Sequence, residues 1–252
     1  MEYLYFRMKD REGSNTGGKE FLTPTPTPPQ PAYRVGTLLT VRDHEILEAL
    51  TRHVRVFSLC QVARTWWSDA ENPTRAAERR LHQLAGENLL SIERAPAHPE
   101  LKLEAPIACW NLNAAEPNFG AVSYELQRRW HAHPVLTACV SASRLAADRL
   151  GGYGGRPPRS IERTHDIHMA QVYLLYRLRQ PELLPDWVFE EQVKVERRLA
   201  AGNSNHGNKL PDVLLRTKPK TRAIEFGGAY GKDKLIAFHR YCKEQLLPYE
   251  IW

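Results

Sequence analysis

Leu210-Pro211-Asp212-Val213-Leu214-Leu215, a charged turn, and then Thr221-Arg222-Ala223-Ile224-Glu225-Phe226-Gly227 form the stretch on which the fold turns. Each run is aliphatic or β-branched and is bounded by proline, glycine or charge, which is how two adjacent strands read. Paired as neighbours, they bring one carboxylate each, Asp212 and Glu225, to the same sheet edge. Two positions after Glu225 the chain has a glycine, Gly227.

Downstream, Leu235, Phe238, Cys242 and Leu246 fall on one stripe and predict a helix over about 232–247, followed by a short strand at Tyr249 to Trp252. Upstream, Ile161 to Arg179 reads as a helix with Ile167, Val172, Leu174, Leu175 and Leu178 on its apolar side. A strand is expected over Trp187 to Val195, carrying Glu190, Glu191 and Lys194, and a flexible turn over Ala201 to Lys209. Helix, three strands, helix, strand is the order of a restriction-endonuclease-like α/β core, placed here at residues 159–252. The run Gly151 to Arg159 predicts its boundary; it lacks the lysine and the strand-to-helix setting of a phosphate-binding loop.

Before that boundary, residues 118–158 are expected to be a helical linker, with helices over Val122 to Trp130 and Leu136 to Leu150. His131 and His133 lie two apart, before Pro134, and so predict an exposed turn and not a metal site.

The N-terminal half carries cap signals. Thr40 with Asp43, Ser58 with Gln61, and Asn72 followed by Pro73 each open a helix. In the third, Ala77, Leu81 and Leu84 form the buried stripe, which leaves Arg75, Arg79, His82 and Gln83 on the opposite face as candidate DNA contacts. Leu89 to Glu93 and Ile107 to Leu112 then read as a hairpin around a loop rich in proline and charge. Three short helices and a hairpin make a winged helix-turn-helix over residues 38–117, with the third helix in the major groove and the wing against the backbone. The same plan also serves protein-docking modules. The fold class expected is therefore α+β: a winged helix-turn-helix domain followed by a restriction-endonuclease-like domain. Residues 1–37, with alternating Thr and Pro at 23–28, predict a flexible leader or tether.

Bulk properties agree. At 252 residues the chain is long enough for two modest domains. A net charge of +6 and a pI near 9.2 favour a polyanionic partner. Four scattered cysteines with no C-x-x-C pair fit a reducing, cytoplasmic setting, and no apolar window of membrane-spanning length occurs.

Pro211-Asp212 with Glu225 closing the next strand resembles the PD-(D/E)xK nuclease superfamily. The wider pattern is similar to the replication-relaxation family of plasmid and mobile-element proteins. It includes Leu39-Thr40-Val41-Arg42-Asp43-His44-Glu45-Ile46-Leu47, His165-Asp166-Ile167-His168 with Val172-Tyr173-Leu174, and Leu210-Pro211-Asp212-Val213 before Ala223-Ile224-Glu225. That resemblance, over roughly residues 38–250, implies a DNA-associated role in replication control, DNA relaxation or transfer.

Such a core cuts DNA when carboxylates hold Mg²⁺ and a cation stabilises the developing charge. Asp212 and Glu225, with Glu190 or Glu191, would be the metal ligands; the motif's lysine is replaced by Gly227, so Lys232, Lys234 or Lys194 would have to stand in. His165 and His168, three apart, read as structural more readily than as ligands. The reading expected is a DNA-binding protein with a degenerate nuclease-like domain, leaning away from an enzyme without deciding it, with duplex DNA as partner, no membrane and no certain cofactor. The alternatives are an active Mg²⁺-dependent endonuclease, and an adaptor for a replication or relaxase protein; a homodimer fits each of them.

Overall fold

Thr40 starts the first helix. Its hydroxyl accepts from the Asp43 amide at 3.3 Å while Asp43 Oδ2 accepts from the Thr40 amide at 2.7 Å, the two-way cap that the sequence predicts. The computed structural model describes residues 38–201 and 210–252, so the expected leader and most of the turn over 201–209 lie outside the described residues. Helix α1 (Val41–Glu48) runs into a π-helical turn (Ala49–His53), then β1 (Phe57–Ser58), α2 (Leu59–Trp66) and α3 (Pro73–Gly86). Ser58 and Gln61 cap α2 reciprocally, and Asn72 caps α3 with Pro73 at its first position. Ala77, Leu81 and Leu84 are fully buried, as the spacing requires.

The strands that follow differ from expectation. They are β2 (Leu90–Ala97), β3 (Ala108–Trp110) and, after α4 (Phe119–Arg128), β4 (Val135–Ala142). The hairpin expected between Leu89–Glu93 and Ile107–Leu112 does not form. Instead β2 pairs antiparallel with β4 from Leu90↔Ala142 to Ala97↔Val135, and β1 pairs on the other side, giving the sheet order β1-β4-β2. The long β2–β4 ladder satisfies far more backbone than the three residues of β3 could. The helix expected over Leu136 to Leu150 is in fact β4 and then α5 (Arg144–Leu150). Ser143 divides them: it caps α5 by accepting from the Ala146 amide at 3.1 Å.

A second sheet has the order β3-β8-β7-β6-β5. Helix α6 (Ser160–Arg179) leads through a 3₁₀ turn (Pro181–Asp186) to β5 (Trp187–Phe189), α7 (Glu190–Ala201), β6 (Val213–Leu215), β7 (Arg222–Glu225), α8 (Lys232–Glu244) and β8 (Tyr249–Ile251). Strands β5, β6 and β7 form an antiparallel meander, and α8 carries the chain over to β8, parallel to β7. The strand expected over Trp187 to Val195 ends at Phe189. Glu190, Glu191 and Lys194 stand at i, i+1 and i+4, a helical spacing, and the two acids occupy the first turn of α7, where the helix dipole favours negative charge.

The glycine run after α5 is packed, not open. The amides of Tyr153 and Gly154 both donate to the Thr51 carbonyl at 2.8 Å. A Cβ on Gly152 would lie 2.5 Å from that carbonyl oxygen, so only glycine allows the approach. One apolar core runs from Leu47 and Leu81 through Met169, Tyr173 and Trp187 to Ile224 and Trp252, and a second gathers Trp110, Leu126, Phe238 and Tyr249. The described residues thus make one compact α+β unit. None of their helices is long and apolar enough to cross a membrane.

Candidate functional site

Antiparallel pairing of Val213 with Ile224 sets Asp212 just before the first rung and Glu225 just after it, side by side. They clasp each other's backbone: the Asp212 amide donates to Glu225 Oε2 at 3.2 Å, and the Phe226 amide donates to Asp212 Oδ2 at 2.8 Å. Glu225 is fully buried. The Tyr230 hydroxyl donates to its Oε1 at 2.6 Å, and burial, together with that carboxylate, pushes the Tyr230 pKa up.

His165 supplies the cation. Its Nε2 donates to Asp212 Oδ2 at 3.0 Å and its Nδ1 to Asp166 Oδ1 at 3.1 Å. Burial alone would favour the neutral ring, but Asp212 and Asp166 outweigh it and hold the imidazole well above its ordinary pKa, which favours the protonated ring. Beyond its place in the family-like motif, the sequence marked His165 as half of a pair with His168. That pair does not form: His168 is fully buried, its Nδ1 donates to the Thr164 carbonyl at 2.6 Å, and its Nε2 accepts from the Leu101 amide at 3.1 Å. Burial first, with the nearby Arg129 adding to it, lowers the His168 pKa to about 4 and keeps the ring neutral.

Arg55, on the link between the π-helical turn and β1, completes the cluster and left no signal in the sequence. It bonds Asp166 Oδ2 and Glu191 Oε1 at 2.8 Å each, with Glu162 at 3.5 Å and Glu190 at 4.0 Å. Lys194 pairs with Glu190 at 2.9 Å and with Glu191 at 3.5 Å. The two glutamates expected as metal ligands are therefore held by cations. Glu190 does come close to Asp212, since both line a cleft of about 40 Å³ with His165 and Arg55, but it does so from a helix and not from a strand. Lys232 and Lys234 are exposed in the first turn of α8; Lys234 Nζ sits 3.4 Å from the Tyr230 ring centroid as a cation–π contact.

The donor set does not fit Mg²⁺. A hard cation needs carboxylate oxygens turned to a common point, whereas here Asp212 Oδ2 and both Glu225 oxygens accept from backbone amides, His165 and Tyr230. Among the described residues no group of three or more His, Cys, Asp or Glu is arranged to hold a metal ion. Gly227 has a steric reason as well: a Cβ there would lie 2.7 Å from both methyls of the fully buried Leu126.

The other set of expected site residues lies on α3, where Arg75, Arg79, His82 and Gln83 are all exposed. Gln83 Oε1 accepts from Arg80 Nη1 at 2.9 Å. His82 and Arg94, the latter on β2, flank a groove of about 180 Å³ between the helix and the sheet. Comparison of the chain with known protein families, with curated proteins and with solved structures finds no match.

Proposed function

We propose that the protein binds duplex DNA through α3, and that the Asp212–Glu225 edge is a structural clasp and not a cutting centre. The observation that carries this reading is the exposed Arg75–Arg79–His82 face, opposite a fully buried Ala77–Leu81–Leu84 stripe. A helix so divided presents cationic and hydrogen-bonding groups at the spacing of one face, with its N-terminal part foremost. The setting supports it: helix, strand and two helices, with the sheet order β1-β4-β2, follow the plan of a winged helix-turn-helix whose wing is β2 and β4, with β3 and α4 inserted between the two wing strands. Arg94 on that wing and the +6 net charge add to the attraction for phosphates.

The meander β5–β6–β7, followed by α8 and parallel β8, is likewise the order of a nuclease-like core, with α7 inserted after its first strand. On this reading the core keeps the scaffold while His165 supplies charge compensation between Asp166 and Asp212. A role in plasmid replication control or transfer is compatible with such a binder and is part of the proposal.

Gel-shift titration of duplex DNA at several salt concentrations tests it. Affinity should fall steeply with salt, and Arg75→Ala with Arg79→Ala should weaken binding and reduce the slope of log K against log salt by about 1 per lost phosphate contact. Supercoiled plasmid incubated with the protein and Mg²⁺ should stay intact. Salt-independent affinity, or an unchanged slope in the double variant, rejects the binding reading; nicking abolished by Asp212→Ala rejects the clasp.

A further inference from the structure

A cavity of about 470 Å³ opens at the opposite end of β6 and β7 from Asp212 and Glu225. Its walls come from separate parts of the chain: Leu175 and Arg179 of α6, Leu183 of the 3₁₀ turn, Arg222 at the start of β7, and Trp252 after β8. That volume falls within the range of pockets that enclose a small organic molecule, about 300–1,000 Å³.

The charges around it are unequally matched. Glu250 is 7% exposed, and its carboxylate accepts from the Tyr176 hydroxyl at 2.8 Å, Trp252 Nε1 at 3.0 Å and Arg222 Nη1 at 2.5 Å. The protein itself therefore satisfies this buried anion, which places no demand on a ligand. The Glu104 carboxylate at the rim pairs with Lys102 at 3.0 Å. Arg179 Nη1 donates to the Glu104 main-chain carbonyl, and among the described residues it makes no ion pair within 4.0 Å; the Glu104 carboxylate, already paired with Lys102, feels its charge only from farther off. Arg222 gives Nη1 to Glu250, and a guanidinium has five N–H donors to share. An apolar chamber with one guanidinium outside any close ion pair at its mouth, and a second lining it, suits a ligand with a hydrophobic body and one negative group.

We propose that this cavity is a binding site for a small organic anion: a cyclic or aromatic body packed against Leu175, Leu183 and Trp252, with its carboxylate or phosphate on Arg179 and Arg222. The site is separate from both α3 and the carboxylate clasp. It owes nothing to the DNA-binding reading, so either can fail without the other.

The test uses the full chain and 8-anilinonaphthalene-1-sulfonate, an aromatic anion that fluoresces in apolar surroundings. The expected result is a saturable, single-site rise in fluorescence, reversed by 1-naphthoate at concentrations about tenfold lower than by the uncharged 1-naphthalenemethanol. Arg179→Ala, a change at an exposed position, should weaken probe binding about tenfold. Thr217→Tyr, which fills the cavity from its rim, should abolish it, with the circular dichroism spectrum and melting temperature of both variants unchanged. Non-saturable fluorescence overturns the proposal, as do equal competition by acid and alcohol, or wild-type binding in Arg179→Ala. If Thr217→Tyr does not fold, the Arg179→Ala titration and the acid–alcohol comparison decide alone.

Discussion

Gly227 illustrates how much one side chain position can carry. In the sequence it reads as the loss of a catalytic lysine. In the fold it is a place where any Cβ would press on both Leu126 methyls at 2.7 Å and on Ile251 Cγ2 at 3.1 Å. Leu126 is fully buried in the cluster that holds Trp110 and Tyr249 and has little room to yield. Gly227→Ala should therefore destabilise the protein by about 1–3 kcal/mol through overpacking. Urea denaturation would read this as a lower midpoint at an unchanged m-value; an unchanged midpoint would mean that Leu126 can move aside after all.

At the scale of the element, α3 carries two arginine populations that the sequence does not separate. Arg79 is exposed, while its neighbour Arg80 reaches back to α1 and bonds Asp43 through Nε at 3.0 Å and Nη2 at 2.5 Å. Asp43 is fully buried and also closes the cap at Thr40, so burial and this pairing oppose each other, and the pairing wins: its pKa is lowered. Removing Arg80 would strand that carboxylate. Arg80→Ala should cost about 3 kcal/mol of stability, whereas Arg79→Ala should leave the melting temperature unchanged and act on DNA alone. Thermal unfolding of the two variants side by side checks the division, which fails if both melt like the wild type. The caps at Thr40, Ser58 and Asn72 were legible because a cap is local: donor and acceptor lie three residues apart. The partner of β2 was not legible, since nothing within Leu90–Ala97 distinguishes a strand at 108 from one at 135.

At the scale of the whole molecule, the two modules expected from the sequence are interleaved. The segment between β2 and β4 contributes β3 to the second sheet, Arg55 enters the carboxylate cluster from the N-terminal half, and one apolar core spans both halves. Global stability should then report on His165 and His168 with opposite signs. The folded pKa of His165 is raised above 6.5, so its contribution is complete below about pH 6.5 and is lost as pH rises through that elevated value. The folded pKa of His168 is depressed to about 4, so its neutral form stabilises the fold above pH 6.5 and that contribution, on the order of 3 kcal/mol, is lost as pH falls from 6.5 towards 4. Urea midpoints at several pH values should show His165→Gln flattening the alkaline decline and His168→Gln the acid one. An alkaline limb untouched by His165→Gln would remove the imidazolium from the cluster.

The amino-acid order was enough to read α1, α2 and α3 with their caps, the buried and exposed faces of α3, the strands around Asp212 and Glu225, and the meeting of those two carboxylates, because each depends on residues close in the chain or on a simple period. Packing of distant segments settled which strands pair, that Glu190 and Glu191 start a helix, that His165 and Tyr230 bond the carboxylate edge, and that Arg55 holds the acids beside it. Those three groups lie between 5 and 157 residues from Asp212 or Glu225. Their electrostatic effect depends on distance in space and on burial, and neither is written in the order of the chain.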